Sequence, residues 1–358
     1  MSNSISGAGF PALAQLLAGL GRVNKSFENL TEQSSSGLIS QTFAGLGGTA
    51  PAALALGPQI NNLQVYRNNI DAASGPAQLT QTAMKQIQSI AANLLAEMPN
   101  LNGLDPASID TIAANARNDL ARVGDLLNSQ YGGIYVFAGQ DTSNPPVPNA
   151  DQITSAGFFL QISAAVANLS GAGTAATVTA TLAIASSNTA GTSPFSTYLS
   201  QLASNLTQPS VSTGPGQSQM LGLLASGNTG AASIGPSTTG SYMRDLMRAL
   251  ATIGSLNSTQ VNDPNFATLV ADTQASLIGA ISAMSTDVGI LGEQQASLTA
   301  VQTTLSDTQT ALTGQLSSAQ DVDMAATLSN LTLTQTQLQE SYQLIAAASS
   351  MSLAKFLP

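Results

Sequence analysis

Hydrophobic positions in the last third of the chain recur in alternating steps of four and three. From Phe266 the series runs through Val270, Leu277, Ile281, Met284, Val288, Leu291, Leu298, Leu305 and Leu312 to Leu316. Thr273, Gln295, Gln302 and Gln309 fill the remaining seam positions, and no proline interrupts them. A stripe sustained this long describes a rod-like helix packed along another helix, about 75 Å long at roughly 1.5 Å per residue. A second stripe follows with Met324, Leu328, Leu331, Leu338, Tyr342, Ile345 and Phe356 at the same alternation. Its opening places Asp321 and Asp323 at a helix N-terminus, where the macrodipole favours negative charge.

The start of the chain mirrors this pattern more weakly. Leu13, Leu16, Leu17, Leu20, Val23, Phe27 and Leu30 mark one helical stripe, which stops in the SSSG run ending at Gly37. A glycine-rich link to Pro51 precedes a further stripe, Ile60, Leu63, Tyr66 and Ile70, which continues beyond Gly75-Pro76 with Leu79, Ala83, Ile87, Ile90, Leu94 and Met98. Proline in a helix interior costs about 3 kcal/mol but little in a first turn, so a kink or a restart is expected at Pro76. Another helix is expected from Ala107 to about Gln130, with Ile109, Ile112, Ala116, Leu120, Val123 and Leu127 on one face.

The middle differs in kind, because no Asp, Glu, Lys or Arg occurs from Gln152 to Met243. Within it TAATVTATLAIASS alternates Thr with Val, Leu and Ile, a period-two pattern that predicts a strand. PSVSTGPGQSQ and SIGPSTTGS read as turns or loops. Disorder goes with high net charge and few apolar residues, so a small folded outer domain is the expectation. The predicted architecture is therefore mainly α: a long antiparallel helical bundle built from N- and C-terminal segments, with an inserted Ser/Thr/Gly-rich outer domain containing β-strands. The expected divisions are 1–50 and 319–358 as terminal helices, 51–150 and 239–318 as the two halves of the rod, and 151–238 as the outer domain.

Composition narrows the chemistry. The 358 residues include no Cys, His or Trp, and charged residues make up 8% of the chain, against roughly 25% in ordinary soluble proteins. Without His or Cys there is no Ser-His-Asp or Cys-His nucleophile pair and no imidazole or thiolate metal site. The scattered carboxylates form no acid–base pattern, so no catalytic, cofactor-binding or metal residue is assigned and no enzyme activity is expected. A net charge of -10, with no Lys or Arg between Arg122 and Arg244 or between Arg248 and Lys355, argues against nucleic acid, whose phosphates need clustered cations. The N-terminus lacks a basic n-region, and Pro11 and Gly19 break its apolar run, so no cleaved signal peptide is expected. No membrane insertion is expected either, since no run approaches the roughly 18 apolar residues of a span.

One stretch stands apart from its surroundings: YGGIYVFAGQDTSNPP, Tyr131 to Pro146. Following a helix, it resembles the junction phrase of the flagellin superfamily, G-x-Y-x-F-x-G-x-x-T-x-x-P, through Gly133, Tyr135, Phe137, Gly139, Thr142 and Pro145. LTEQSSSGLISQ is similar to the family's L-x-x-x-S-x-G through Leu30, Ser35 and Gly37, and YRNNIDAASG to its Y-x-x-N-I-x-x-A segment. The closing S-L-x-x-x-L pattern falls on Ser352, Leu353 and Leu357. The Arg/Asp/Ala-rich phrase usual after the first helix is absent, and MKQIQSIAANLLAEM carries no Arg in the stretch by which innate immune receptors recognise family members.

The resemblance implies a β-hairpin beside the bundle, with Tyr135, Val136 and Phe137 as its strand. It also implies an extracellular subunit of the bacterial flagellum, exported through the flagellar type III apparatus and polymerising with itself into a helical filament. Hook-associated and cap proteins and an export chaperone are the implied partners. Leu13, Leu16, Leu20, Val23, Phe27, Met324, Leu328, Leu331, Leu338, Tyr342, Ile345 and Phe356 become the expected subunit interface. A hook-associated protein of the hook–filament junction is the alternative within the superfamily. A secreted coiled-coil translocator or adhesin is the alternative outside it.

Overall fold

Long uninterrupted stripes produce long helices. The computed structural model describes the backbone of residues 9–101, 106–228 and 230–354, with side chains from 14 to 347 at its two ends. Helix α1 (Gly9–Ser36) leads through a 3-10 segment (Phe43–Thr49) into α2 (Ala50–Leu101), and α3 (Pro106–Leu127) follows. A two-residue ladder joins β1 (Gln130–Tyr131) to β2 (Ile134–Tyr135). The middle holds α4 (Gly157–Ala167), α5 (Leu169–Ala172), α6 (Thr174–Ser186) and a hairpin of β3 (Ser210–Gly214) with β4 (Gln217–Met220). Helices α7 (Tyr242–Gly254), α8 (Phe266–Gln320) and α9 (Met324–Ala354) complete the order. The mainly α expectation is met, as are the expected helices α1, α3, α8 and α9.

Two compact units form, one from the described parts of residues 1–64 and 306–358, the other from Val65–Leu305. In the second unit α2 and α8 run antiparallel in fixed register. Gln88 Nε2 donates to Ser285 Oγ at 2.7 Å, Gln295 Nε2 to the Ala77 carbonyl at 2.9 Å, and Gln302 Nε2 to the Asp71 carboxylate. A step down α2 from 88 to 77 to 71 is thus matched by a step up α8 from 285 to 295 to 302. Leucines at 291 and 298 are buried between these amides. The polar seam positions noted in the sequence act as register pins, as polar residues at coiled-coil core positions do.

Three expectations are corrected. Helix α2 does not restart at Pro76 but runs through it. Ile70, Ala77, Met84, Ile87, Leu94 and Met98 lie on both sides of the proline and are all buried. Since each fully buried large aliphatic contributes about 1.5–3 kcal/mol, two of them offset the proline. The TAATVTATLAIASS stretch is helix α6 rather than a strand. Its buried residues are Thr177, Val178, Thr181 and Ala185, a helical spacing hidden by the Thr alternation. The hydroxyls of Thr177 and Thr179 donate to the carbonyls four residues back, at 3.0 and 2.8 Å, so these side chains sit in a helix without stranded donors.

The strands of the middle lie instead in PSVSTGPGQSQ, expected as loop. There Pro215 has its φ fixed by its ring and Gly216 adopts φ +68°, the combination a type II turn requires. The expectation that no run approaches a membrane span also meets a counter-example. Helix α8 contains an 18-residue window apolar enough, by length and composition, to cross a membrane. In this fold the apolarity serves a protein core, since Leu269, Val270, Leu277, Ala280 and Met284 join the cluster that includes α2, α3 and α7.

That cluster extends into residues 151–238. Phe158, Ile162, Val166, Leu169, Phe195 and Leu199 are buried in continuity with Leu246, Leu250 and Ile253 of α7 and with Leu120 and Val123 of α3. Helices α4 and α6 both pack on α7, and α7 packs on α3.

Gly75 has a separate task. A Cβ built on it would stand 2.3 Å from the Tyr131 ring, so the missing side chain is what lets the β1–β2 hairpin lie on α2. Replacing Gly75 by Ala is expected to cost about 1–2 kcal/mol by overpacking. In a Tyr131→Ala background the same change is expected to stabilise by up to about 1 kcal/mol through helix propensity. Urea unfolding of the four-protein cycle measures this, and equal effects in the two backgrounds would refute the contact.

Candidate functional site

The first unit is built around the pairing of α1 with α9. The chain ends of the two helices are tied together. Ile39 N–H donates to the Gln320 carbonyl at 2.7 Å and Val322 N–H to the Gly37 carbonyl at 2.9 Å, while Leu38 and Asp321 form an antiparallel bridge. Gly37 reaches this position at φ +74°, which a side-chain-bearing residue adopts only at a cost. Since the end of α1 meets the start of α9, the helices run antiparallel. Asp323 caps α9, its Oδ1 accepting from Ala325 N–H at 2.9 Å and Ala326 N–H at 3.1 Å. Asp321 accepts from Ser317 of α8 instead.

Each terminal helix carries apolar residues beyond the seam it buries. Within the chain, Thr327, Thr334 and Leu338 of α9 are buried and Leu331, Ser341 and Ile345 half-buried, a run at steps of four and three. Opposing half-buried residues on α1 are Leu20, Val23, Phe27 and Leu30. Leu16 continues the α1 seam but keeps 39% of its surface, and Met324, Leu333, Leu344 and Leu17 are exposed off the seam. Leu328 keeps 50% and Tyr342 56% of its accessible surface, against 8% for Leu338. The single stripe read from the sequence therefore merges an inner seam, containing Leu331, Leu338 and Ile345, with an outer one, containing Met324, Leu328 and Tyr342. The buried threonines of the inner seam were missed because Thr does not register as apolar. Leu13 lies in α1 with its side chain outside the described set, and Phe356 lies outside the described residues.

The hairpin residues are brought together in the second unit. Gly132 and Gly133 form the turn with φ +58° and +86°, the conformation two-residue hairpins favour. The ladder is Ile134–Tyr135 only. The chain then turns inward, so Val136 and Phe137, expected in the strand, are core residues. Tyr135 N–H donates to the Thr142 carbonyl at 3.0 Å, and the Phe137 carbonyl accepts from Ala225 N–H at 3.0 Å. Gly139 sits at φ +68° where a Cβ would stand 2.6 Å from Leu224. Pro145 is half-buried, and Pro146 is buried with its carbonyl accepting from Ser196 N–H at 2.8 Å. The phrase thus fastens α3 to the middle segment.

Charged residues just beyond the charge-free segment explain how that segment is held. Arg244 donates to the carbonyls of Ala185 and Ser187 at 2.9 and 3.2 Å and to Asn188 Oδ1 at 2.7 Å, with its guanidinium 5.3 Å from the Phe195 ring centre. Asp245 accepts from Thr239 N–H at 2.7 Å and from the Ser233 hydroxyl. Arg248 Nη2 donates to the Ser237 carbonyl at 2.7 Å, Ser237 Oγ to Asp272 at 2.7 Å, Gly230 N–H to Asp287 Oδ1 at 2.7 Å, and Tyr242 Oη to Asp287 Oδ2 at 2.9 Å.

Burial raises the Asp245 carboxyl above the ordinary carboxylate range; its hydrogen bonds and the nearby Arg248 charge act in the opposite direction. Burial likewise lowers Arg248, against the charges of Asp245 and Asp272. Burial and then the Asp287 charge push the Tyr242 phenol well up. The arrangement suits holding backbone in place, and among the described residues no three carboxylates gather as metal ligands.

Residues 12–142 of this chain match the bacterial flagellin N-terminal helical region, and residues 276–357 match the bacterial flagellin C-terminal helical region. No curated protein matches the chain.

A raised carboxyl keeps its proton in the fold at a pH where the unfolded chain has released it. Its contribution to stability therefore falls as pH rises through the window between the ordinary value, about 4, and the raised one. Burial raises Asp119, and burial with the Asp151 charge raises Asp125, so with Asp245 three groups act in the same sense. Thermal melts are expected to show that these three groups favour the fold more at about pH 4 than at about pH 7.5, so that Asp245→Asn, which removes one of them, reduces the fall of the midpoint between the two. An equal change of midpoint with and without Asp245 would contradict the assignment.

Proposed function

Since the chain belongs to the bacterial flagellin family, a family of self-polymerising extracellular filament components, we propose that it is the structural subunit of a flagellar filament, assembled through its terminal helices for motility. The observation that carries this reading is the set of exposed apolar residues on the α1–α9 pair outside its buried seam. The inner seam completes the chain itself. The outer residues have no cover within the described chain and lie along the two family-matched ends. A patch of this kind on a folded subunit marks an interaction surface, and repeated heterologous contacts between identical subunits generate open filaments.

Magnitudes fit a polymer better than a dimer. Leu328, Leu333, Tyr342 and Leu344 are each about half covered already, so completing their burial contributes on the order of 1 kcal/mol apiece. At 3.6 residues per turn Leu328 and Tyr342 lie on one side of α9 and Leu333 and Leu344 on another, so one contact collects only about 2–3 kcal/mol, below the roughly 4–15 kcal/mol cost of association. Several neighbours per subunit are needed, which a helical lattice supplies. Export through the flagellar type III apparatus with a chaperone, and contact with hook-associated and cap proteins at the filament ends, complete the proposal. The phrase VFAGQDTSNPP and the terminal SLAKFL favour a second reading within the family, a hook-associated protein at the hook–filament junction. Copy number separates the two: thousands per filament for the subunit, a short collar at its base for the junction protein.

Purified chain seeded with filament fragments is expected to give filaments by electron microscopy. Leu328→Asp is expected to raise the critical concentration at least tenfold with unchanged monomer melting. Leu338→Ala should instead lower monomer stability by about 2 kcal/mol or more. Absence of filaments, or normal assembly of Leu328→Asp, would overturn the proposal.

A further inference from the structure

Helix α2 around Ala73 to Ala77, the turn out of β2 at Val136, and the β3–β4 hairpin at Val211 and Leu221 enclose a groove of about 520 Å³, within the roughly 300–1,000 Å³ of ligand sites. Its hairpin wall is fixed from behind. Val211 and Leu221 join Ile70 and Leu298 in a small apolar cluster, and Gln219 of β4 donates through Nε2 to the Gln294 carbonyl of α8 at 3.1 Å. No residue that lines the groove is charged.

The groove gathers neutral polar groups that the fold itself leaves unused. Thr80 returns its hydroxyl to its own helix, donating to the Pro76 carbonyl at 2.9 Å. The side chains of Asn69, Tyr135, Gln140, Thr142, Ser210 and Ser212 also line the groove, yet make no hydrogen bond among the described residues. Backbone groups add to them. Leu221 N–H donates to the Pro209 carbonyl at 2.8 Å, and Val211 stands opposite Gln219 in the ladder. Bonded and non-bonded pairs alternate along an antiparallel ladder, so Ser210 and Ser212 turn their N–H and C=O groups away from β4. On the facing wall Pro76 has no N–H, which deprives the Ala72 carbonyl of its helical donor.

We propose that this groove binds a neutral sugar. Amide and hydroxyl side chains supply both donors and acceptors, which is what the hydroxyls of a sugar ring require. The apolar walls and the Tyr135 ring suit the C–H face of the same ring. Other occupants fit less well. An ionic ligand would leave water without a counter-charge to meet it, and an apolar side chain or helix would bury the six unused groups unpaired. An extended peptide could add to β3 through the outward backbone of Ser210 and Ser212, but it would engage mainly that side and not the polar groups contributed by α2 and the turn. The site lies within one folded chain, so it stands or falls separately from polymerisation.

The test is a printed array of oligosaccharides built from glucose, galactose, mannose and their N-acetyl derivatives, with sialylated forms and uncharged peptides beside them. Labelled full-length chain is expected to be retained by neutral saccharides, and titration with the free saccharide should give a saturable dissociation constant. Asn69→Ala combined with Gln140→Ala is expected to weaken binding about tenfold, the loss of two hydrogen-bonding side chains. Ala72→Trp, at an exposed position on the groove wall, should fill the groove and abolish binding. Both variants should melt as the parent does, which separates lost binding from lost folding. No retention on any neutral saccharide, retention on the peptides alone, or retention unchanged by Ala72→Trp would each overturn the proposal.

Discussion

Antiparallel packing of α8 along α2 is the constraint on which the second unit depends. With charged residues at 8% of the chain, register cannot be set by rows of salt bridges. It is set by buried leucines alternating with glutamines whose amides reach the opposite helix. An all-leucine seam would tolerate sliding by a turn. An amide that must find one particular partner on the opposite helix favours a single register, each such half-buried hydrogen bond contributing about 0.5–1.5 kcal/mol. Once that register is fixed, Gly75 stands opposite Tyr131 and Gly279 beneath Ile234, and both loops find their seats.

The few charges are used in the same economical manner. The segment from Gln152 to Met243 has none of its own and borrows those of α7 and α8 to satisfy its backbone and hydroxyls. Burying Asp245 and Arg248 opposes their charged forms, so the arrangement stands on close hydrogen bonding rather than on the charges alone. A neutral segment anchored this way shares one core with α2, α3, α7 and α8.

Much of this was legible in the sequence and some was not, for physical reasons. Helices α8, α9 and α3 declared themselves because their stripes are long and made of large aliphatics, and the family phrases located the hairpin. Helix α6 was misread because Thr and Ala bury readily in a helix, with the hydroxyl returned to its own backbone, so period-two chemistry concealed a 3.6 period. The β3–β4 hairpin was missed because its strands are Ser, Thr and Gln, and only Pro215-Gly216 marks the turn. On α9 the stripe took in Leu331, Leu338 and Ile345 of the inner seam but not Thr327 and Thr334, because Thr does not register as apolar, and it added the exposed Met324, Leu328 and Tyr342. No pattern in the sequence announced that the Ile234 backbone rests on Gly279 of α8.

The central claim is that the terminal pair separates an inner, intramolecular face from an outer, intermolecular one. Thiol labelling of single-cysteine variants tests it most directly, with Leu328→Cys reporting the outer face and Leu338→Cys the inner. The account predicts that in the monomer Cys at 328 reacts rapidly while Cys at 338 is protected, and that polymerisation protects both. A position 328 that stays as reactive in the filament as in the monomer, or a position 338 open to reagent before assembly, would contradict it.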